Sequence, residues 1–452
     1  MEYAFAIPFL VSLYFVIRKQ EDKAFLYVFL PCLLTLPDYY AVRLPHLPPF
    51  SAAGFSLLPI GISMLARNLT TWKWRRMDFF FALYMLSTGL SEVFREHDMK
   101  DGALVYASSC LTLVPAYIVG RTVVEPHLRL KAVKMIVFLI LCLTPFILFE
   151  YRMGQNPWLM IGNSIFRLNI GWSVQLRGGH ARVGASFGDT ILAGIVFAVV
   201  LLMNSWLILV NKTGRLAKLG ARFAKLEKWH IPGLMLFGFL FLTQSRGPLM
   251  SVFVGFLILS IPRFKNMKTA AIIVIALLGI GGGAVYSYFD RYTSVPVDQA
   301  VDEKQSSAIY RRIMMEAYKP VVEGGGLLGY GTLSHPIVNG QGSIDNAYLL
   351  MQLSYGTLGL YTFLLVIGES GLTLILYAIK FRNREDITFT FCMLGALTAI
   401  FFNLTTVYMG EQIPVITFFL VGWAQSLKPQ ERFGAAVPEM APTRFQFRRV
   451  LT

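Results

Sequence analysis

Apolar runs of roughly membrane-spanning length follow one another along this chain, separated by short polar stretches. They fall at 3–17, 24–42, 51–66, 78–94, 103–119, 133–150, 190–210, 231–243, 248–262, 269–286, 345–379, 388–404 and 412–427. A helix needs about 20 apolar residues to cross a bilayer. The pattern therefore predicts an all-α polytopic transmembrane helical bundle, with 1–452 forming a single integral membrane domain. The run 345–379 is too long for one upright helix and is expected to break near Gly356 or Gly368, giving 12 to 14 spans. The first run, Tyr3–Ile17, lacks a basic leading segment and a cleavage site, so it is expected to be a retained anchor.

The polar stretches sort by charge. Arg67–Arg76 holds Arg67, Lys73, Arg75 and Arg76, and 121–134 holds Arg121, Arg129, Lys131 and Lys134. Lys212–Lys228 carries six basic residues against Glu227 alone. Arg263–Lys268, Lys380–Arg384 and the tail 428–452 complete the set. Basic loops stay in the cytoplasm, so all of these belong on that side. The outer side then receives 43–50, 95–102, 151–189, a tight turn near Ser245, 286–344 and 405–411. The outer loop 286–344 has six acids and five basic residues, near neutrality as a translocated loop should be.

Composition agrees: 55% of residues are hydrophobic, 15% are charged, and mean hydropathy is +0.56. The net charge of +15 reports topology and not a nucleic-acid partner, because no compact basic domain exists. Segment 211–230 places Leu216, Leu219, Phe223 and Leu226 at i, i+3, i+7 and i+10, with basic residues one position earlier. It is expected to be an amphipathic helix lying on anionic membrane lipids. Cys32, Cys110, Cys142 and Cys392 all lie in apolar runs without CxxC spacing and read as small core hydrophobes.

Loop 286–344 contains a predicted helix at 305–323, with Asp302 and Gln305 spaced as a capping box. The run Gly324–Gly331 then ends it, and glycine there allows tight turns and close approach of backbone amides to an anion. Chemistry-bearing residues gather around these outer segments. Arg246 sits between two runs with almost no connecting loop, either reaching phospholipid headgroups or gripping a phosphate. Arg182 precedes the run 190–210 on the same side, where Asp189 can orient it. Asp345 either caps the next helix or acts as a general base, with His335 a rival base or a plain surface histidine. No Walker loop, dinucleotide fingerprint, zinc spacing or nucleophile elbow is present, so no cofactor or metal is expected.

Four segments resemble the O-antigen ligase and O-antigen polymerase superfamily of membrane glycosyltransferases. These are RVGASFGDTILAG from Arg182, TQSRGPLM around Arg246, YRRIMMEAYKPVVEGGGLLGYG from Tyr310, and Asp345-Asn346 followed by Gly356 and Gly359. They cover about 182–360 in the order that superfamily shows. The resemblance implies metal-independent inverting transfer from an undecaprenyl-diphosphate-linked glycan, at the periplasmic face of a bacterial inner membrane. Carried over by position, Arg182 and Arg246 would bind the diphosphate, and Arg311, Arg312 and Asn346 would close the loop or hold glycan. The ligases carry a histidine where this chain has Asp345, which favours polymerisation of exopolysaccharide or O-antigen repeats over transfer to lipid A core or protein. Such a polymerase would work with a flippase and a chain-length regulator. The reading from a different class is a glycolipid or anion transporter whose arginines line a path.

Overall fold

The computed structural model describes residues 2–43, 47–210, 228–296, 299, 301, 303–338, 343–381 and 383–427. The expected basic helix at 211–230 lies outside these residues except for its last three positions, and the tail 428–452 lies wholly outside them. The described chain is mostly helical, and every apolar run forms helix over all or much of its length.

Seven helices are long and apolar enough to cross a membrane: Met99–Thr122, Pro126–Met153, Thr190–Val210, Arg246–Arg263, Met267–Thr293, Ala347–Lys380 and Arg384–Asn403. Three shorter apolar helices, Tyr3–Ile17, His230–Leu242 and Ile413–Ser426, take up the runs at 3–17, 231–243 and 412–427. Runs 51–66 and 78–94 become helices Ala52–Asn68 and Arg76–Arg95. Run 24–42 departs from expectation, because its helix stops at Thr35. Leu36 is extended (φ −109°, ψ 133°), the conformation that the following Pro37 imposes by its steric demand. The chain then enters a two-residue strand, Ala41–Val42, paired antiparallel with Phe50–Ser51.

Helix Thr190–Val210 is the centre of the bundle, with 83% of its most apolar window buried, whereas Met267–Thr293 is 11% buried by the same measure. Trp206 of the central helix packs edge-on against Phe389, which in turn meets Trp423. Close backbone approach binds the neighbouring helices. A Cβ on Gly120 would fall 2.1 Å from the Phe419 carbonyl, and one on Gly422 would fall 2.2 Å from the Tyr117 carbonyl. Such small-residue contacts between Met99–Thr122 and Ile413–Ser426 are how helices associate where lipid removes the hydrophobic drive between them.

The loops sort into two sets at the two ends of the bundle. At one end the basic stretches meet: Arg121 hydrogen bonds the Lys73 carbonyl and pairs with Asp78, Arg75 donates to Tyr377 Oη and the Gln425 carbonyl, and Arg129 pairs with Asp386 at 2.8 Å. At the other end Tyr40 Oη donates to the Trp158 carbonyl at 2.7 Å, and Gln412 Nε2 donates to the carbonyls of Leu36 and Ser186 at 2.9 and 2.8 Å. Segments 151–189, 328–335, 343–346 and 405–412 all gather there.

The break in 345–379 falls at Gly356, which adopts φ 67°, ψ −167° inside the helix Ala347–Lys380. A broken helix exposes backbone groups that cannot stay unpaired away from water. The glycine-rich run supplies their partners. Tyr330 and Gly331 N–H donate to the Leu353 and Ser354 carbonyls at 2.8 and 2.9 Å, and Thr357 and Leu358 N–H donate to the Gly326 and Leu327 carbonyls at 3.2 and 3.1 Å. The end of helix Arg76–Arg95 clamps this splice: Ser91 Oγ donates to the Leu328 and Ser354 carbonyls, and Arg95 Nε donates to the Gly329 carbonyl at 2.7 Å. The amides that the sequence suggested for an anion at Tyr330 and Gly331 are therefore spent on the broken helix.

Candidate functional site

Arg182 reaches its place through a hairpin that the sequence pattern did not announce. Leu176–Arg177 pairs antiparallel with His180–Ala181 across Gly178-Gly179, whose φ angles of 55° and 77° suit a two-residue turn only glycine adopts freely. The Arg182 backbone N–H donates to the Gln175 carbonyl at 2.9 Å. Its side chain, 7% exposed, donates from Nε to the Thr243 carbonyl at 3.2 Å, from Nη2 to Ser245 Oγ at 2.8 Å, and from Nη1 to Gln175 Oε1. Burial lowers its pKa to about 10, with the like charges of Arg177 and Arg311 pushing the same way and Asp189 opposing. The guanidinium stays charged at neutral pH. Asp189 does not hold it by hydrogen bonds; that carboxylate accepts from the Ile191 and Leu192 N–H groups at the start of helix Thr190–Val210.

Arg246 begins the next helix, one residue after the Ser245 that holds Arg182. It is exposed and makes no hydrogen bond or ion pair among the described residues. The structure thus joins Arg182 to the turn bearing Arg246 without bringing the two guanidinium groups into contact.

The acid Asp345 does not cap the following helix. Asn346 does, its Oδ1 accepting from the Tyr348 and Leu349 N–H groups at 3.0 and 3.1 Å. Asn346→Ala is expected to lower stability by about 1 kcal/mol, the usual effect of deleting a helix cap, seen as a lower melting midpoint. Asp345 is left to accept from Ser343 Oγ at 2.9 Å and to pair with Arg311 Nη2 at 3.8 Å. Arg311 lies on the loop helix Glu303–Gly325 and is near enough to Arg182 for their charges to interact, so Arg182, Arg311 and Asp345 form one electrostatic chain.

The other two expected residues point elsewhere. Arg312 pairs with Asp290 and Glu316 at 3.2 and 3.1 Å and donates to Ser294, fastening the loop helix to the end of Met267–Thr293. His335 bonds the Thr332 carbonyl at 2.8 Å, in a stretch where Glu92 accepts from the Thr332 hydroxyl and Glu96 from Leu333 N–H and Ser334 Oγ. Neither touches Asp345 among the described residues. The capping-box partner Asp302 lies outside the described residues, but Gln305 takes the N–H of Val301 at 2.8 Å and donates to the Tyr292 carbonyl.

Two cavities open at this end. The smaller, about 230 Å³, is lined by Arg182, Gln175, Trp172, Asp189, Tyr408 and Glu411 among others. The larger, about 530 Å³, is bordered by Asp38, Tyr39, Tyr84, Tyr355 and Phe418, and again by Glu411. Glu411 has φ 51°, unusual for a residue with a side chain. Strained backbone of this kind concentrates at functional sites, because surrounding structure must hold it. Burial raises the Glu411 pKa to about 7, and the nearby charges of Asp38 and Asp189 add to it. Tyr408 is pushed up to about 12, first by burial and then by Glu411, Asp189 and Asp345. Glu411, Tyr408 and Gln175 escaped the sequence reading; the signal for Glu411 was the only acid in the short outer loop 405–411.

No family model matches the chain, and no curated protein matches it.

Proposed function

We propose that the protein is a multi-pass membrane glycosyltransferase that polymerises undecaprenyl-diphosphate-linked oligosaccharide repeats into exopolysaccharide or O-antigen at the outer face of a bacterial inner membrane. The observation that carries this reading is Arg182: a charged, nine-tenths buried guanidinium on the wall of a cavity at one end of an apolar helical bundle. A fixed cation in a low-dielectric site stabilises the negative charge that gathers on a departing diphosphate, without reorganising as the bond breaks. A lipid diphosphate donor carries its own activation, so the reaction calls for no nucleotide-binding motif. In this reading Arg246 meets the diphosphate or its lipid at the exposed rim, and Arg311 links the loop helix to the bound anion and to Asp345. The order of the four sequence segments supports a polymerase, and the carboxylate at Asp345 favours it over a ligase.

The test is elongation by purified protein. In detergent, without metal, nucleotide or ion gradient, the protein should lengthen lipid-linked repeats extracted from cells lacking this chain, resolved as a ladder on a gel. No ladder, with transport of the same lipid across vesicles instead, would sink the enzyme reading and favour the transporter.

A further inference from the structure

Among the described residues, Glu411 alone lines both cavities. The cavities differ in chemistry. The smaller is lined by Arg182, Gln175, Trp172 and Thr190. The larger mixes the aromatic rings of Tyr84, Tyr355 and Phe418 with the hydroxyls of Ser51, Ser108 and Thr112. Tyr39 lines it as well. A guanidinium suits a diphosphate; rings interspersed with hydroxyls suit the faces and edges of a sugar.

Resting on the glycosyl-transfer reading above, we propose that the two cavities are donor and acceptor subsites, and that Glu411 on their common wall takes the proton from the acceptor sugar's hydroxyl. The acceptor oxygen forms its bond to the donor's anomeric carbon as that carbon's bond to the diphosphate breaks. The bonding pair leaves with the lipid diphosphate, whose charge Arg182 meets, and the hydroxyl proton passes to the Glu411 carboxylate. Asp345 is engaged instead by Arg311 and the Ser343 hydroxyl.

The position of Glu411 is built. Gly188 (φ 72°) approaches so closely that a Cβ there would lie 3.2 Å from Glu411 Cδ, and the left-handed backbone at Glu411 turns the side chain toward the cavities. The groups facing it come from every neighbouring element: Asp38 and Tyr39 from the first hairpin approach, and Asp189 from the start of the central helix. Tyr408 belongs to its own loop, while Arg43, Arg182 and Glu150 border the cavities it joins. Burial is the main cause, with Asp38 and Asp189 adding to it, so Glu411 holds its proton to near-neutral pH, where a general base works best.

The experiment compares purified wild type, Glu411→Gln and Glu411→Asp. Elongation of the extracted lipid-linked repeats is measured from pH 5.5 to 8.5, and undecaprenyl diphosphate binding is followed by intrinsic tryptophan fluorescence. Wild-type turnover should rise through about pH 7. Glu411→Gln should bind the diphosphate within about 2-fold of wild type yet elongate about 100-fold more slowly, in line with loss of a general base, with no rise near pH 7. Glu411→Asp should recover part of the rate. If wild type elongates and Glu411→Gln keeps its rate and pH profile, the inference fails and the glycosyl-transfer reading stands. If Glu411→Gln loses diphosphate binding as well and Glu411→Asp recovers nothing, the residue is structural and the inference fails. If wild type binds no diphosphate and elongates nothing, both fall together.

Discussion

Arg182→Ala is expected to reduce elongation about 1,000-fold, equivalent to about 4 kcal/mol of transition-state stabilisation. The magnitude follows from its geometry. The guanidinium is already desolvated and fixed by Gln175, the Thr243 carbonyl and Ser245, so its charge is aimed before any substrate arrives. A preorganised cation of this kind contributes far more than one that must order itself in water. Arg182→Lys keeps the charge but not the fork that reaches three partners, and is expected to restore only a small part of the rate. Trp172 lines the same cavity, so quenching of its fluorescence by undecaprenyl diphosphate should weaken in Arg182→Ala. Unchanged elongation in Arg182→Ala protein of normal melting temperature would remove the observation on which the function rests.

Gly356→Ala should destabilise the fold by about 3 kcal/mol or more, read as a lower melting temperature in detergent and as proteolysis within 326–358. A Cβ at this position would sit 2.3 Å from the Leu327 carbonyl oxygen and 2.4 Å from the Gly329 nitrogen, both backbone atoms that cannot swing aside. The φ of 67° adds the strain of a left-handed residue in an otherwise right-handed helix. Gly329→Ala meets the same wall from the other side, 2.5 Å from Gly356 N, and is expected to match it. Because the two share one junction, their effects should not add in the double variant.

The bundle was legible because bilayer-length hydrophobicity is a coarse signal: the apolar runs became helix over all or much of their length, and the basic stretches 67–76, 121–134 and 380–386 meet at one end. Run 24–42 misled because Tyr39–Val42 stay largely apolar while the backbone has left the helix at Leu36. The break at Gly356 was readable from length, but not the splice that repairs it, since pairing between 326–331 and 353–358 leaves no periodic trace. Arg182 and Asp345 stood out as charges beside apolar helices. Choosing between cap and free acid at Asp345 required the Asn346 side chain, which sequence alone treats as equivalent. Arg311 and Arg312 are adjacent in the chain and face opposite partners, a distinction set by 100° of helical rotation. Glu411 was invisible because its importance comes from two cavities assembled from distant segments.

The splice at Gly356 also sets how the outer segment can move. Four main-chain bonds rivet its glycine end to the helix, reinforced by Ser91 and Arg95, and Met314 and Tyr318 of Glu303–Gly325 are buried against Ile344, Leu349 and Leu353 beside the 3.8 Å ion pair of Arg311 with Asp345. Held at both edges, the outer helix is coupled to the part of Ala347–Lys380 before the Gly356 break, so disrupting that break should loosen both together.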